Sequence, residues 1–362
     1  MRIRLGLGAA VFVLGGPLAG QGTNALYPSA SALSGFEFQR YGFDHSYLTR
    51  SASQWSIPVV LVTPLGRQVS VDLTTHYAHT EMESNGTVSY SGFTDTQLRL
   101  LYTIGQQRAV ASLLLNLPTG KHSFTQAQFP VSTSISSNYL SFPVNNLGSG
   151  FGVTTGLAYA VPAGSWNIGL AGSVRYQASY HPFTGDTFNY NPGLEGRFRF
   201  GADRLVGERG RFMFGETFST FSTDQFSGTS AFVSNWYNPG ARFITDAGYA
   251  YSWGRTSLTL SAWDYYRLAG NSRDTSLTDT KENIFNTELR LSRQLSPRFS
   301  IEPLVGFRQW NPAGGTAGRL YSFGTNARFV LSDAVSGVLS GRFGTGWGVT
   351  ATGLSLYLRV QR

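Results

Sequence analysis

Apolar and polar residues alternate along most of this chain from residue 54 onward. Residues 165–177, SWNIGLAGSVRYQ, put Trp166, Ile168, Leu170, Val174 and Tyr176 on one parity, with Ser165, Asn167, Ser173, Arg175 and Gln177 on the other. That is the period of a β-strand with one greasy and one polar face. The period recurs at 55–62, 69–77, 95–103, 109–117, 151–161, 188–200, 211–221, 241–251, 256–266, 284–292, 299–307, 320–331, 335–343 and 349–360. FEFQRYGF (36–43) supplies one more strand and brings the count to sixteen.

The links between these strands fall into two length classes. PLGR, IGQQR, VPAGS, SWGRT, QLSPR and LSDA are tight, and ADRLVGERG is somewhat longer. Between them lie 79–92, 118–149, 222–237, 268–283 and 310–318, with a shorter link near 181–187. Short turns at one end and long loops at the other mark outer-membrane barrels, whereas a sandwich has no reason to sort its loops. The sequence therefore predicts an all-β fold, a transmembrane antiparallel barrel of sixteen strands. Fourteen is the alternative, if residues 21–53 fold into the lumen. The greasy faces are then expected to meet lipid.

The N-terminus changes the picture of location. Arg2 and Arg4 precede an apolar run from Leu5 to Leu18, and small residues follow at Ala19, Gly20 and Gly22, the pattern of a secretory signal. The expected divisions are a signal peptide at 1–20, a periplasmic or lumen-plugging segment at 21–35, and a barrel at 36–362. No later segment has the roughly 20 apolar residues of a spanning helix. Cysteine is absent, glycine numbers 43 of 362, aromatics make up 14% and charged residues only 13%. The charged share is about half that of an ordinary soluble domain, which suits a wall facing lipid. The net charge of +8 is almost entirely arginine, since lysine occurs only at 121 and 281. No Lys/Arg run is present, so a nucleic-acid partner is not expected.

With greasy faces outward, the expected lumen lining is Asp72, His76, Asp95, Arg99, Arg175, Glu195, Arg197, Arg199, Arg242, Glu288, Arg290, Glu302 and Arg308. Glu288 and Arg290 lie on one strand and Glu302 and Arg308 on the next, so opposite charges are expected to pair across the two. Two positions break the pattern. Glu216 shares parity with Phe212, Phe214 and Phe218, which implies either a bulge or a face of aromatics turned inward. Asp264 shares parity with Leu258 and Leu260 near a loop end. The five histidines form no metal clip, and no Ser–His spacing stands out as catalytic. Neither enzyme activity nor a metal or cofactor is expected.

The 118–149 link is rich in Ser, Thr, Asn and Gln, with Phe124, Phe129, Tyr139 and Phe142 interspersed. A loop of this length in a compact domain is usually functional. It is expected either to enter the mouth as an aromatic constriction or to remain a mobile surface loop. Tyr180, Tyr265 and Tyr266 are expected in the interfacial aromatic girdle.

Residues 91–122 and 147–177 resemble the outer-membrane barrels of the phenol-degradation meta-pathway family. Leu117, Pro118, Thr119 and Gly120 match its Leu-Pro-Thr-Gly element, and Gly148, Ser149 and Gly150 match its Gly-Ser-Gly entry. Gly92 and Asp95 stand near its first element, though Phe93 and Thr94 replace the tight Gly-Asp spacing. The family is similar to the long-chain fatty-acid transporters, and the resemblance implies passage of hydrophobic or aromatic compounds. The expected function is passive uptake of small, hydrophobic or aromatic solutes across the outer membrane of a Gram-negative-type cell. The alternatives are a structural or adhesive closed barrel and an anion-preferring porin. Expected partners are outer-membrane lipid, the solute and the barrel-assembly machinery, with the barrel a monomer.

Overall fold

The structure, a computed structural model, describes residues 30–44, 49–105, 108–228, 235–272, 280–312 and 317–362. The expected signal peptide at 1–20 and residues 21–29 lie outside them.

Among the described residues, twenty strands, one 3-10 turn (Gln126–Gln128) and one α-helix, α1 (Phe129–Ile135), make up the fold. In chain order the strands are β1 (Ser31–Phe43), β2 (Ser51–Pro64), β3 (Val69–Glu83), β4 (Thr87–Phe93), β5 (Thr96–Ile104), β6 (Ala109–Leu117), β7 (Gly152–Ala163), β8 (Trp166–Gln177), β9 (Asn189–Asn191) and β10 (Glu195–Val206). They continue as β11 (Gly210–Phe221), β12 (Asp224–Ser227), β13 (Trp236–Tyr237), β14 (Arg242–Trp253), β15 (Thr256–Arg267), β16 (Glu282–Ser296), β17 (Phe299–Pro312), β18 (Gly318–Ser332), β19 (Val335–Gly346) and β20 (Val349–Gln361).

Every neighbouring pair in the large sheet is antiparallel, and β1 closes it by pairing with β20 from Ser31↔Gln361 to Phe43↔Val349. β4 and β5 are one stave: both pair with β3, and between Tyr77↔Phe93 and Thr74↔Gln97 the stave gains one residue, a β-bulge. The barrel thus has sixteen staves, β4 and β5 counting once. The sixteenth strand is β1, which starts at Ser31, so residues 31–35 belong to the wall.

The short links gather at the end where β1 begins and β20 finishes, and the long ones at the other end. Two links depart from the sequence expectation. Residues 79–92 are no loop: β3 runs to Glu83 and β4 starts at Thr87, with the Ser84 amide donating to the Gly86 carbonyl at 3.0 Å. Both faces of HTEMESNGTVSY are polar enough to hide the period. The 310–318 link is also shorter, because β17 reaches Pro312.

The greasy faces point outward, as expected. Leu170, Val174 and Tyr176 are exposed at 46%, 53% and 51%, and Leu157, Phe198, Phe323 and Leu354 continue the band around the barrel. A contiguous apolar belt of this extent needs an apolar medium to cover it. Burying it there stabilises the fold, while the closed ladder leaves no sheet edge unpaired.

Glu216 follows neither sequence expectation. There is no bulge in β11, and its aromatics stay outward; Glu216 shares the outer face with them. Its carboxylate accepts from Thr245 Oγ1 at 2.5 Å. Asp264, also outward, accepts from Asn283 Nδ2 at 2.7 Å. The wall thus supplies donors that lipid cannot. Because a lipid-facing acid still carries a cost, Glu216→Leu is expected to stabilise the barrel by about 1 kcal/mol. Urea titration of folding into bilayers checks this; a loss of stability would mean that Glu216 is needed where it stands.

Candidate functional site: a loop-spanned, arginine-lined lumen

The site begins at the bulge between β4 and β5, where Asp95 is buried beneath the mouth. Its carboxylate accepts from Ser149 N at 2.7 Å, Asn116 Nδ2 at 2.8 Å and Gly120 N at 3.0 Å. Gly120 must be glycine, because a Cβ there would stand 2.2 Å from the Leu147 carbonyl oxygen and 2.4 Å from Asp95 N. The Leu-Pro-Thr-Gly and Gly-Ser-Gly elements, about 30 residues apart in sequence, therefore meet at one carboxylate. Asp95 ties both ends of the long loop; it is a hub in the wall, and its oxygens are spent there.

From this hub the loop goes inside. Val131, Ile135, Tyr139, Leu140, Phe142, Val144 and Leu147 are buried together with Tyr41, Ala52, Ala78 and Ile284 of the wall. On the β1–β2 side, Gln54 holds Val144 by two bonds of 2.8 Å, one in each direction, and Tyr41 Oη donates to the Leu140 carbonyl. On the far side, Arg308 Nη1 of β17 donates to the Tyr139 carbonyl at 2.6 Å, and the Tyr139 ring stacks on Trp310 at 5.3 Å. β17 lies eight staves from β6 in a ring of sixteen. The loop therefore crosses the lumen from one wall to the opposite one. Of the two expectations for it, entry into the mouth holds.

Arginines line the remaining wall, and their arrangement has a common form. Arg197 and Arg175 meet Glu195 at 2.6 and 3.8 Å. Arg99 meets Asp72 at 2.8 Å, Arg342 meets Glu288 at 2.9 Å, and Arg328 approaches Glu302 at 3.9 Å. In the Arg175, Arg197, Arg328 and Arg342 pairs the arginine side chain is 36–42% exposed and its carboxylate partner only 9–11%. The acids sit in the wall and the guanidinium tips face the lumen, and Glu195 and Glu288 each hold two arginines, so the surface met by a solute is positive. Arg199 reaches Asp246 at 2.7 Å by passing over β11, possible only because Gly215 faces it. A Cβ at Gly215 would lie 2.3 Å from Arg199 Nη2.

The expected pairing of Glu288 and Arg290 with Glu302 and Arg308 does not form. Glu288 is held by Arg290 of its own strand and by Arg342, three staves away. Glu302 takes Asn326 and Arg328, and Arg308 turns to Asn286 and the loop. The reason is register: Glu288 stands opposite Gly306, which presents no side chain to pair with it. His76 faces inward and half-buried, while His79 lies on the outer face against Trp55.

An aromatic cap sits over the mouth. Phe124 packs on Phe183 at 5.2 Å and Phe129 at 6.0 Å, and Phe183, Phe188 and Phe226 continue the chain of rings. Of the four mouth aromatics read from sequence, Phe124 and Phe129 join this cap, and Tyr139 and Phe142 lie deeper against the wall. Tyr180 is a cap residue too, packed on Tyr190 at 5.6 Å, so it is outside the girdle. Burial pushes the Tyr180 hydroxyl up to about 12. Tyr265 also leaves the girdle: it faces inward and is buried, because the polar Asp264 takes the outward place beside it.

Asp224 organises the cap, accepting from Tyr190 Oη and Gly193 N, each at 2.7 Å. Burial raises its carboxyl above the ordinary value, against the opposing pull of those two donors and Arg242. The folded cap therefore keeps a proton that the unfolded chain has released. Asp224's contribution is full below about pH 4 and declines as pH climbs toward the raised value. Protection of the Gly193 amide from exchange, corrected for the intrinsic rate, is expected to fall over that range, and Asp224→Asn to flatten the dependence. A protection that rises with pH would contradict this.

No family model matches the chain, and no curated protein matches its sequence. Solved structures do. A bacterial polysaccharide outer-membrane secretin aligns at 10% identity over 92% of this chain and 99% of that one, with a TM-score of 0.51. OccK7 (OpdD) of Pseudomonas aeruginosa aligns at 10% identity over 92% and 97%, with a TM-score of 0.48. The COG4313 outer-membrane channel from Pseudomonas putida F1 aligns at 12% over 93% and 96%, with a TM-score of 0.42. At such identities the likeness is one of fold. The chain has the fold of the outer-membrane β-barrels: closed, antiparallel and sixteen-stranded.

Proposed function

We propose that this protein is a passive channel in the outer membrane of a Gram-negative-type cell, admitting small solutes with a hydrophobic or aromatic body. The observation that carries the reading is the 118–149 loop, which crosses the whole lumen and brings aromatic side chains into it. A structural barrel gains nothing from guanidinium tips held out over buried acids, whereas a conduit gains a positive, wetted track. Passage needs no energy source: a solute enters among the cap aromatics, passes the loop and follows the arginine side of the lumen down its gradient. The motif resemblance to the phenol-degradation family supports the aromatic part of the reading. On it the barrel is exported by its signal, inserted by the assembly machinery, works as a monomer in lipid and is no enzyme.

The exposed guanidinium tips favour a second reading, an anion-preferring porin indifferent to aromatic character. Flux into proteoliposomes separates the two. The proposed channel passes small aromatic solutes faster than sugars of equal size; a porin passes both alike and differs only by charge. In either case Arg197→Glu with Arg199→Glu is expected to shift the reversal potential in a salt gradient toward cations. An unchanged potential would remove the arginine track from the account.

A further inference from the structure

The short-turn rim carries positive charge that its few acids do not balance. Five of its seven turns hold an exposed arginine: Arg67, Arg108, Arg209, Arg255 and Arg298. Arg204 and Arg293 join them from the outward faces of β10 and β16, and Arg362 follows β20. Among the described residues, none of these guanidinium groups has an ion pair or a hydrogen bond, though Arg204 lies over the Trp166 ring at 5.6 Å. Of the acids at this rim, Asp203 is taken by Arg211 at 3.0 Å, which leaves Glu208 and Asp333. At the opposite rim exposed cations and acids are mixed, Arg40 and Arg50 with Glu81 and Glu83, and both lysines stand there.

The placement of these arginines shows what they face. Leu65 precedes Arg67, Val206 precedes Arg209, Trp253 precedes Arg255 and Phe299 follows Arg298, and all four apolar side chains are exposed. They end the lipid-facing band, so each arginine begins where the hydrocarbon stops, at the level of lipid phosphates. A guanidinium meets a phosphate by two parallel bonds, which an ammonium cannot do. The turns are also spread around the barrel, from β2–β3 through β5–β6 and β10–β11 to β16–β17. A docked protein meets one side of that circle, whereas lipid headgroups surround all of it.

We propose that this rim is a binding ring for anionic phospholipid, its exposed arginines holding headgroup phosphates of the leaflet on the short-turn side. The first lipid shell there is enriched in anionic species, because a zwitterionic headgroup brings a cation of its own to the phosphate. The ring rests on the placement of the barrel in a membrane and is independent of what the lumen passes.

The test places the full barrel in phosphatidylcholine bilayers with spin-labelled phosphatidylglycerol or spin-labelled phosphatidylcholine. Electron spin resonance then reads the fraction of each label held at the protein. One arginine near the surface favours an anionic membrane by about fivefold. Averaged over a shell in which one rim carries the attraction, wild type is expected to prefer phosphatidylglycerol by at least about twofold. Arg67→Gln, Arg209→Gln, Arg255→Gln and Arg298→Gln together are expected to remove about half of that preference, since each arginine contributes. Arg40→Gln with Arg50→Gln at the opposite rim, where Glu81 and Glu83 offset them, leaves it unchanged. If the fourfold variant fails to fold, wild type in about 1 M salt decides, where a Debye length of about 3 Å erases the preference. The ring is overturned by equal binding of both labels to wild type, the result that an acidic protein partner would give. It is equally overturned by a preference that survives the four substitutions or high salt, or that falls as far with Arg40 and Arg50.

Discussion

Replacing residues 126–146 with a short glycine–serine bridge raises the single-channel conductance of the barrel several-fold. The segment runs from the β6–β7 rim to Arg308 on the opposite wall and back past Gln54, so its removal clears the centre of the lumen. The ends stay in place, because Asp95 binds Gly120 and Ser149 outside the excised stretch. The ladder of the wall does not depend on the loop, since every stave pairs with its two neighbours. The cost in stability is the apolar contact of Val131, Ile135 and Leu140 with the inner wall, and a lower melting temperature accompanies the larger steps. An unchanged conductance would mean that the loop does not set the width of the path.

Asp95→Ala carries the largest expected loss of stability. It leaves two backbone amides and the Asn116 amide without their acceptor at a site only 6% exposed. Each orphaned donor costs about 1–3 kcal/mol, so the variant should lose several kcal/mol. The loss shows first at the loop: the Gly120 and Ser149 amides exchange faster before the wall unfolds. Asp95→Asn falls between, because one of its two carboxamide positions can no longer accept. A variant as stable as wild type, with both amides still protected, would show that the hub is dispensable. Urea titration of folding into bilayers reads the first effect and hydrogen exchange the second.

Much of this wall was legible because a barrel strand has only two faces. Trp166 to Tyr176 announces its register by parity alone, and closure then follows from an even count. Residues 84–93 escaped because both faces of that hairpin are polar above the lipid, so no period remains to be read. Tyr265 misled for a related reason: a Tyr beside a loop reads as girdle, and only the pairing with Ile244 turns it inward. Glu216 looked like an error in the pattern, and what permits it, Thr245 on the next strand, is a cross-strand fact.

The site was legible as a list and not as a geometry. The inward arginines followed from parity, but which acid each takes depends on neighbours up to three staves away. Gly215 decides one of them by leaving a gap over which Arg199 passes, and nothing marks it apart from the other glycines. The Asp95 hub had a signal in the Leu-Pro-Thr-Gly and Gly-Ser-Gly elements, though their meeting point needed the fold.

The central claim is that the lumen is a narrowed, positively lined passage. Single-channel recording of the purified barrel in a planar bilayer, under a salt gradient, tests it most directly. The account predicts steady, small conductance steps with a reversal potential on the anion side. A silent barrel, or one that prefers cations, would contradict it.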